Sequence, residues 1–497
     1  MDIPLTALFG RKDMSTESAK TPAVQPKQLA HLAIPGMPTN VDGYDGGIPV
    51  WLMEKGLTVR VDNSWFANAD DVIQIVRMPG MEELASTKVK PGEENRQSFF
   101  FSIPEEKLPD GEVRLGYVVN FKGGTDYQPS YPLSVLVKKN LPAGEDNNQL
   151  EPGHSELTFT LSTLEVNPPN AAKGVSVIVD PYPNMHPRDR IYLKWGDVTI
   201  GQQISGVGQA TLILVNNAQL IEAGNSDGLL VSFYVVDVVG NASTSRSKYI
   251  PVRVDLGSAQ HDGPFIQSED QSGFIDIERL AGENLKVGMY TPANVGRIGD
   301  WYVFTVKAYP PLGGKVVHRR IETITRAGTA TYHDVPYSKV RAAAGGAVEI
   351  SCELIRADDL VNQVSKKTFS EVVGPVARLE APYFEKYPED IVIIERELVL
   401  NIPWYAWRKP TDRLTLILRY VKSLNEIILF SVTKSVGTFW ADGAPVHWVI
   451  NGTDIEQFAG YAPDLYFVYE SGSASNRARS VDLNESLRRS VRILQGS

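Results

Sequence analysis

The stretch Asp189-Arg-Ile-Tyr-Leu-Lys-Trp195 decides the fold. An acidic residue leaves a turn, and apolar side chains follow at every second position: Ile191, Leu193 and Trp195. That is the period of a strand with one face on a core and the other in water. The phrase returns as Asp71-Val-Ile-Gln-Ile75, as Asp300-Trp-Tyr-Val-Phe-Thr-Val306 and as Asp412-Arg-Leu-Thr-Leu-Ile-Leu418, with the apolar set in the same places. The four aspartates lie 118, 111 and 112 residues apart. A near-constant interval of that length corresponds to one small β-domain per repeat, so the sequence predicts an all-β chain of four tandem β-sandwiches.

Composition agrees with this reading. A chain of 497 residues holds four domains of the usual size, and its 42% hydrophobic and 22% charged content suits domains that bury a core without metals or disulfides. The net charge of −10 arises from 59 acids against 49 bases spread along the chain, which argues against nucleic acid as a partner. The single cysteine, Cys352, excludes an intramolecular disulfide and points to a bacterial or intracellular protein. No apolar run reaches the roughly 18 residues of a transmembrane segment. The start is apolar but short, with Asp2 ahead of it and the basic pair Arg11-Lys12 behind it, which is not the order of an export signal. The expected location is therefore secreted or cell-surface by a route without a conventional signal peptide, with the cytoplasm as the alternative.

Residues 1–28 read as a disordered tail, rich in Ser, Thr, Lys, Gln and Pro after residue 9. Within it Ile3, Leu5, Leu8 and Phe9 form a candidate segment for docking a partner, or for packing on the first domain. The domains are expected at 29–146, 149–256, 259–377 and 378–497. In the second, a strand ending at Asp237 leads through Gly240-Asn241 to a further strand at 250–254, the pattern of a final hairpin. Cys352 shares a face with Val348, Ile350 and Leu354 and reads as a buried small hydrophobe.

The segment Tyr234-Val-Val-Asp-Val-Val-Gly-Asn-Ala-Ser243 resembles the last hairpin of bacterial immunoglobulin-like repeats, which occur in tandem in large surface, adhesive and secreted proteins of pseudomonads and their relatives. The first domain keeps the hydrophobic lead and the glycine in Tyr117-Val-Val-Asn-Phe-Lys-Gly-Gly124 but lacks the Asp. The resemblance implies four immunoglobulin-like Greek-key β-sandwiches in an elongated array, used for reach and for the display of loops.

Catalytic and metal patterns are missing from the sequence. The seven histidines do not approach one another at metal-ligand spacing, and no nucleophile elbow or complete phosphate-binding glycine motif is present. The adjacent acids Glu105-Glu106, Asp358-Asp359 and Glu389-Asp390 read as turn residues rather than as a glycosidase pair, and no cofactor is expected. A binding surface remains. Asn401-Ile-Pro-Trp-Tyr-Ala-Trp-Arg-Lys-Pro410 lies between two predicted strands, so Trp404, Tyr405, Trp407 and Arg408 are the candidate ligand-binding residues, with filling of a core or a domain junction as the structural alternative. The expected function is non-enzymatic adhesion toward a cell-surface glycan or protein. A secreted toxin or effector acting on a foreign cell is the first alternative, and a glycan- or peptide-acting hydrolase the second.

Overall fold

A carboxylate is buried where the central strand of each repeat begins. Asp71, Asp189, Asp300 and Asp412 are all at most 3% exposed. Each accepts the backbone N–H of the residue three positions earlier, from Asn68, His186, Arg297 and Lys409, at 2.8 to 2.9 Å. Each then passes its own carbonyl to the next strand of its sheet, where Val89, Ile204, Ile324 and Val436 donate. The turn is thus closed from inside by a side chain, and the strand leaves it in a set direction. The alternate residues that follow form the core face: Ile73 and Ile75, Ile191, Leu193 and Trp195, Tyr302, Phe304 and Val306, and Leu414, Leu416 and Leu418 are all buried.

The computed structural model describes residues 28–496, apart from 40, 54–55, 125–126, 149–150, 259, 268–273, 293, 312–314, 358–361, 375–378, 406–407, 424–425, 438–443 and 471–485. The docking candidates Ile3, Leu5, Leu8 and Phe9, the pair Asp358-Asp359 and Trp407 lie outside the described residues.

The second repeat displays the plan in full. One sheet has the order Thr211–Val215, Val175–Val179, Phe159–Leu161. The facing sheet has the order Glu165–Val166, Ile250–Val254, Ser226–Val236, Arg190–Trp195, Val198–Gln203. The chain crosses repeatedly between the two sheets, and its first short strand on the second sheet runs parallel to its last. The same order recurs around Val72–Met78, Trp301–Tyr309 and Arg413–Ser423, with the last strand of the fourth unit split into Arg489–Ser490 and Arg492–Leu494. The chain is therefore all-β, four sandwiches in tandem.

A second repeated device was not visible in the sequence. Ser130, Ser247, Ser365 and Ser486 are at most 2% exposed. In each, the hydroxyl accepts the N–H of Tyr117, Phe233, Cys352 or Phe467 at 2.9 to 3.0 Å, while the serine's own N–H donates to the carbonyl of the same residue. The hydroxyl proton goes to the carbonyl of the following residue. The serine side chain thus supplies an acceptor where the edge of the ladder would otherwise leave a buried N–H unpaired. Beside it the unit's incoming chain is tied down, as when Lys366 N donates to His261 O and Leu487 N to Leu379 O.

The four N–H groups also identify equivalent core positions. Opposite Tyr117, Phe233 and Phe467 stand Ile75, Leu193 and Leu416, whereas Cys352 stands opposite Phe304. The third unit has exchanged the large residue from one strand to the other and kept the pair's volume roughly constant. Cys352 is accordingly 1% exposed, and burial pushes its thiol well above the ordinary range.

The units touch through built joints. Between the first and second, Val50 N donates to Asn241 Oδ1 and Arg188 to Asp42 O, over a small core of Val41, Leu136 and Val239. Gly47 sits against Val239, and a Cβ there would lie 2.7 Å from Val239 Cγ1. Between the second and third, Lys307 bridges Asp197 at 2.9 Å and the buried Glu349 at 2.8 Å, Lys367 reaches Asp197 at 3.1 Å, and Arg246 pairs with Glu371 at 2.8 Å. Burial works against the charge on Lys307, and the two carboxylates more than offset it, so its pKa lies above the ordinary value. The third and fourth units share one contiguous core. With joints this close, the expected elongated array is bent back on itself: Ser98–Ile103 of the first unit packs beside Glu426–Ser435 of the fourth.

Two experiments follow from these repeats. Ser365→Ala leaves the Cys352 N–H buried without its acceptor and is expected to cost about 1–3 kcal/mol, read as a lowered melting temperature of the full chain. Phe304→Leu and Cys352→Phe should each destabilise by about 1–3 kcal/mol, whereas the double variant should recover most of that loss in a double-mutant cycle.

Candidate functional site

The aromatic segment of the fourth unit begins where the strand Glu397–Ile402 ends at Pro403. Tyr405 is 5% exposed, its ring meets Tyr469 edge-on at 5.4 Å, and its hydroxyl donates to Asp412 Oδ2 at 3.4 Å. It occupies the place that Tyr182 has in the second unit, seven residues before the buried aspartate, where Tyr182 donates to Asp189 Oδ2 at 3.1 Å. Burial, and then the neighbouring Asp412, hold the Tyr405 hydroxyl well above its ordinary pKa, so it remains a donor. Arg408 is also 5% exposed. Trp404 is half-buried under Lys339, whose Nζ lies 4.9 Å from the ring centroid. Because Lys339 belongs to the helix Tyr337–Arg341 of the third unit, Trp404 lies at the joint between the third and fourth units. Of the candidate ligand-binding residues that the structure describes, Tyr405 and Arg408 therefore face inward and Trp404 faces a neighbouring unit. The apolar content of the segment reads alike for a loop on display and for one folded under, so the sequence could not separate the two.

The aspartate and asparagine of the second unit's hairpin motif also serve a joint, while its tyrosine packs within the unit. Tyr234 stacks on Tyr192 at 5.3 Å. Asp237 accepts from Val239 N, Asn241 N and Asn241 Nδ2 at 2.8 to 3.0 Å, and Gly240 turns the corner at φ +95°. The asparagine so fixed reaches the first unit at Val50 N and Lys138 O. Burial raises the pKa of Asp237 and of Asp189 to about 6.

Glu105 and Glu106 are exposed on a short turn of helix, and Asp390 pairs with Arg489 at 3.4 Å. His318 and His333, 15 residues apart, meet with Nε2 atoms 2.9 Å from each other, while Glu322 takes His333 Nδ1 at 3.0 Å. Their spacing in the sequence carries no metal-ligand pattern; they meet because the strands Val316–Thr323 and Ala330–Val335, which belong to different sheets, lie side by side. The ring centroids are 5.0 Å apart in nearly parallel planes, with the two Nε2 atoms within hydrogen-bond distance. Among the described residues no group of three or more metal-donor side chains is arranged to hold a metal ion.

The bent-back array creates a cleft that no sequence motif announced. Its floor is the outer face of the fourth unit's larger sheet, where Thr415, Ile417 and Arg419 alternate with the core residues of the repeated phrase. Tyr466 and Arg488 flank it, and Trp51, Leu52 and Thr58 of the first unit close over it.

No protein-family model and no curated protein matches the chain. The solved structures that match the chain include the following two. One comes from a study of host cell surface retention of a 1.5-MDa bacterial ice-binding adhesin, at 16% identity, covering 70% of this chain and 99% of that one with a TM-score of 0.20. The other is a tetra-tandem repeat from the extending region of a large adhesion protein, at 11% identity, covering 90% of this chain and 98% of that one with a TM-score of 0.20.

Two outcomes test these placements. Tyr405→Phe should lower stability by about 1 kcal/mol through Asp412, which a melting curve resolves. The raised pKa values of Asp189 and Asp237 mean that, between about pH 4 and 6, the folded chain holds protons that the unfolded chain has released. Their contribution is present below the ordinary carboxylate pKa and is lost as pH rises through about 6. His186, whose pKa burial lowers, opposes this near pH 6 with one group against two. In Asp189→Asn the amide oxygen can keep the His186 and Tyr182 bonds, because Asp189 Oδ1 has no partner to lose. Calorimetry of both chains should show the variant gaining on the parent when pH rises from 4.5 to 6.5.

Proposed function

We propose that the chain is a non-enzymatic binding protein of adhesion type, built from four sandwich modules with joints near residues 147, 257 and 378, and directed at a glycan or protein on a cell surface. The observation that carries this reading is the cleft between the first and fourth units. It is open to solvent, lined by aromatic rings, hydroxyls and guanidinium groups, and placed on a frame whose own buried charges are already committed. Asp71, Asp189, Asp300 and Asp412 hold turns, Asp237 holds a joint, and Glu349 is bridged by lysine. Groups so engaged support a scaffold that presents a surface, since a general acid or base needs reach to a substrate proton. The bend brings the ends of the array together, so the proposal rests on recognition more than on reach. The resemblance of the second unit's hairpin to bacterial immunoglobulin-like repeats supports display on, or release from, a bacterial cell.

The test is binding of the labelled full chain to bacterial and eukaryotic cells with viability followed in parallel. Saturable binding that leaves the cells intact is expected. Killing of the bound cells would replace this reading with that of a toxin, and turnover of glycan or peptide libraries would replace it with that of a hydrolase.

A further inference from the structure

We infer that His318 and His333 of the third unit form a binding site for a divalent transition-metal ion of the zinc, nickel and copper class, completed by water; this goes beyond the recognition reading and does not rest on it.

The repeated frame shows first that the fold makes no demand for either histidine. In the smaller sheets Val59 stands opposite Phe101, Val177 opposite Ile213 and Leu400 opposite Trp448, and at the same place in the third unit Val287 stands opposite His333. All four of these partners are at most 7% exposed. Opposite the sixth residue after the buried aspartate the other units carry Glu82, Val198 and Phe430, and the third carries His318. The third unit thus has an imidazole at two positions where no other unit has one, and these two meet. A polar ring at a core position costs free energy unless it is paired, and the frame accepts Phe, Ile or Trp there without that cost.

The rings come from opposite sheets. Val316–Thr323 is the edge strand of the larger sheet and Ala330–Val335 an edge strand of the smaller one, so the pair spans the sandwich at the margin of both. The two Nε2 atoms are 2.9 Å apart. Two nitrogen–metal bonds of about 2.1 Å, at an angle of about 90 to 109°, set their nitrogens about 3.0 to 3.4 Å apart. An ion therefore enters with a parting of about half an ångström and a tilt of the His318 ring. His318 is half-buried, which leaves water a path to the remaining coordination positions.

Hydrogen bonding fixes which nitrogen of His333 is offered. Glu322 Oε1 lies 3.0 Å from His333 Nδ1. A carboxylate accepts, so Nδ1 carries the proton and Nε2 of the neutral ring presents its lone pair toward His318. A carboxylate behind a histidine in this way sets the tautomer and raises the basicity of the nitrogen that binds a metal. The Phe304 ring, 5.7 Å away between centroids, holds the imidazole from another side.

The donor type selects the ion. Imidazole nitrogen suits zinc, nickel and copper, whereas calcium and magnesium require oxygen. Because no group of three or more donors is present among the described residues, water completes the sphere and the ion exchanges more readily than in a closed structural site. Arg320, between His318 and Glu322 on the strand, is exposed, so its charge acts through water, and Glu322 carries the opposite sign.

The experiment is calorimetric titration of the full chain with zinc chloride at neutral pH, with melting curves recorded in parallel. Saturable binding is expected, with a melting temperature that rises with zinc and returns on addition of EDTA. Calcium chloride should do neither. His318→Gln, and His333→Phe, which installs the first unit's residue, should each weaken the tightest zinc site at least about tenfold, and Glu322→Gln by about tenfold. Because His318 is half-buried, His318→Gln carries the test if His333→Phe does not fold. Absence of saturable zinc binding up to about 1 mM, or binding by His318→Gln at the parent affinity, overturns the assignment and leaves the recognition reading untouched.

Discussion

The structure depends on a buried carboxylate at the base of one strand, made four times. An ionised side chain in a protein interior is tolerable when hydrogen-bond donors surround it, and here the donors are backbone N–H groups that the turn itself would otherwise leave unpaired. Each need answers the other. Lys122 N and Ala357 N add a bond to the second oxygen in the first and third units, and tyrosines add one to the first oxygen in the second and fourth. The environments therefore differ in detail while the turn is the same.

From this anchor the remainder of each unit follows. The strand direction is set, so the alternate apolar residues fall on one core, and the partner strand is bound by the serine whose hydroxyl completes the ladder. What varies between units is volume and outer face. Cys352 opposite Phe304 shows the first kind of variation. The outer positions of the fourth unit's central strand show the second, since Thr415, Ile417 and Arg419 there line a cleft, whereas Lys307 in the third unit enters a joint. The repeated frame leaves such positions free to differ, and these are the positions where one unit meets another.

The repeat, the strands and the sandwich plan were legible because period-2 alternation and the interval between aspartates are properties of the chain alone. The aspartate's role was only half legible: its place at the turn was evident, but an acid at a turn usually faces water, and its burial depends on donors supplied by the fold. The serines were invisible because Ser is common and its neighbours differ, with Pro129 and Tyr131 around one and Arg246 and Lys248 around another. The bend between the first and fourth units was hidden in linkers whose composition suggests separation, while Asn241, Glu349 and the core shared by the third and fourth units draw the modules together. In the sequence Tyr405 reads as a surface candidate, because aromatic residues beside a proline look alike on a loop and under one. Its spacing of seven from Asp412, matched by Tyr182 and Asp189, is the signal that could have placed it inside.

The central claim, that four buried carboxylates hold the four turns, is tested most directly by amide hydrogen exchange at Asn68, His186, Arg297 and Lys409. These residues lie in loops, where backbone amides ordinarily exchange quickly. The account predicts that all four are protected to the level of the strands they precede. Rapid exchange at these amides in a chain whose strands remain protected would contradict it.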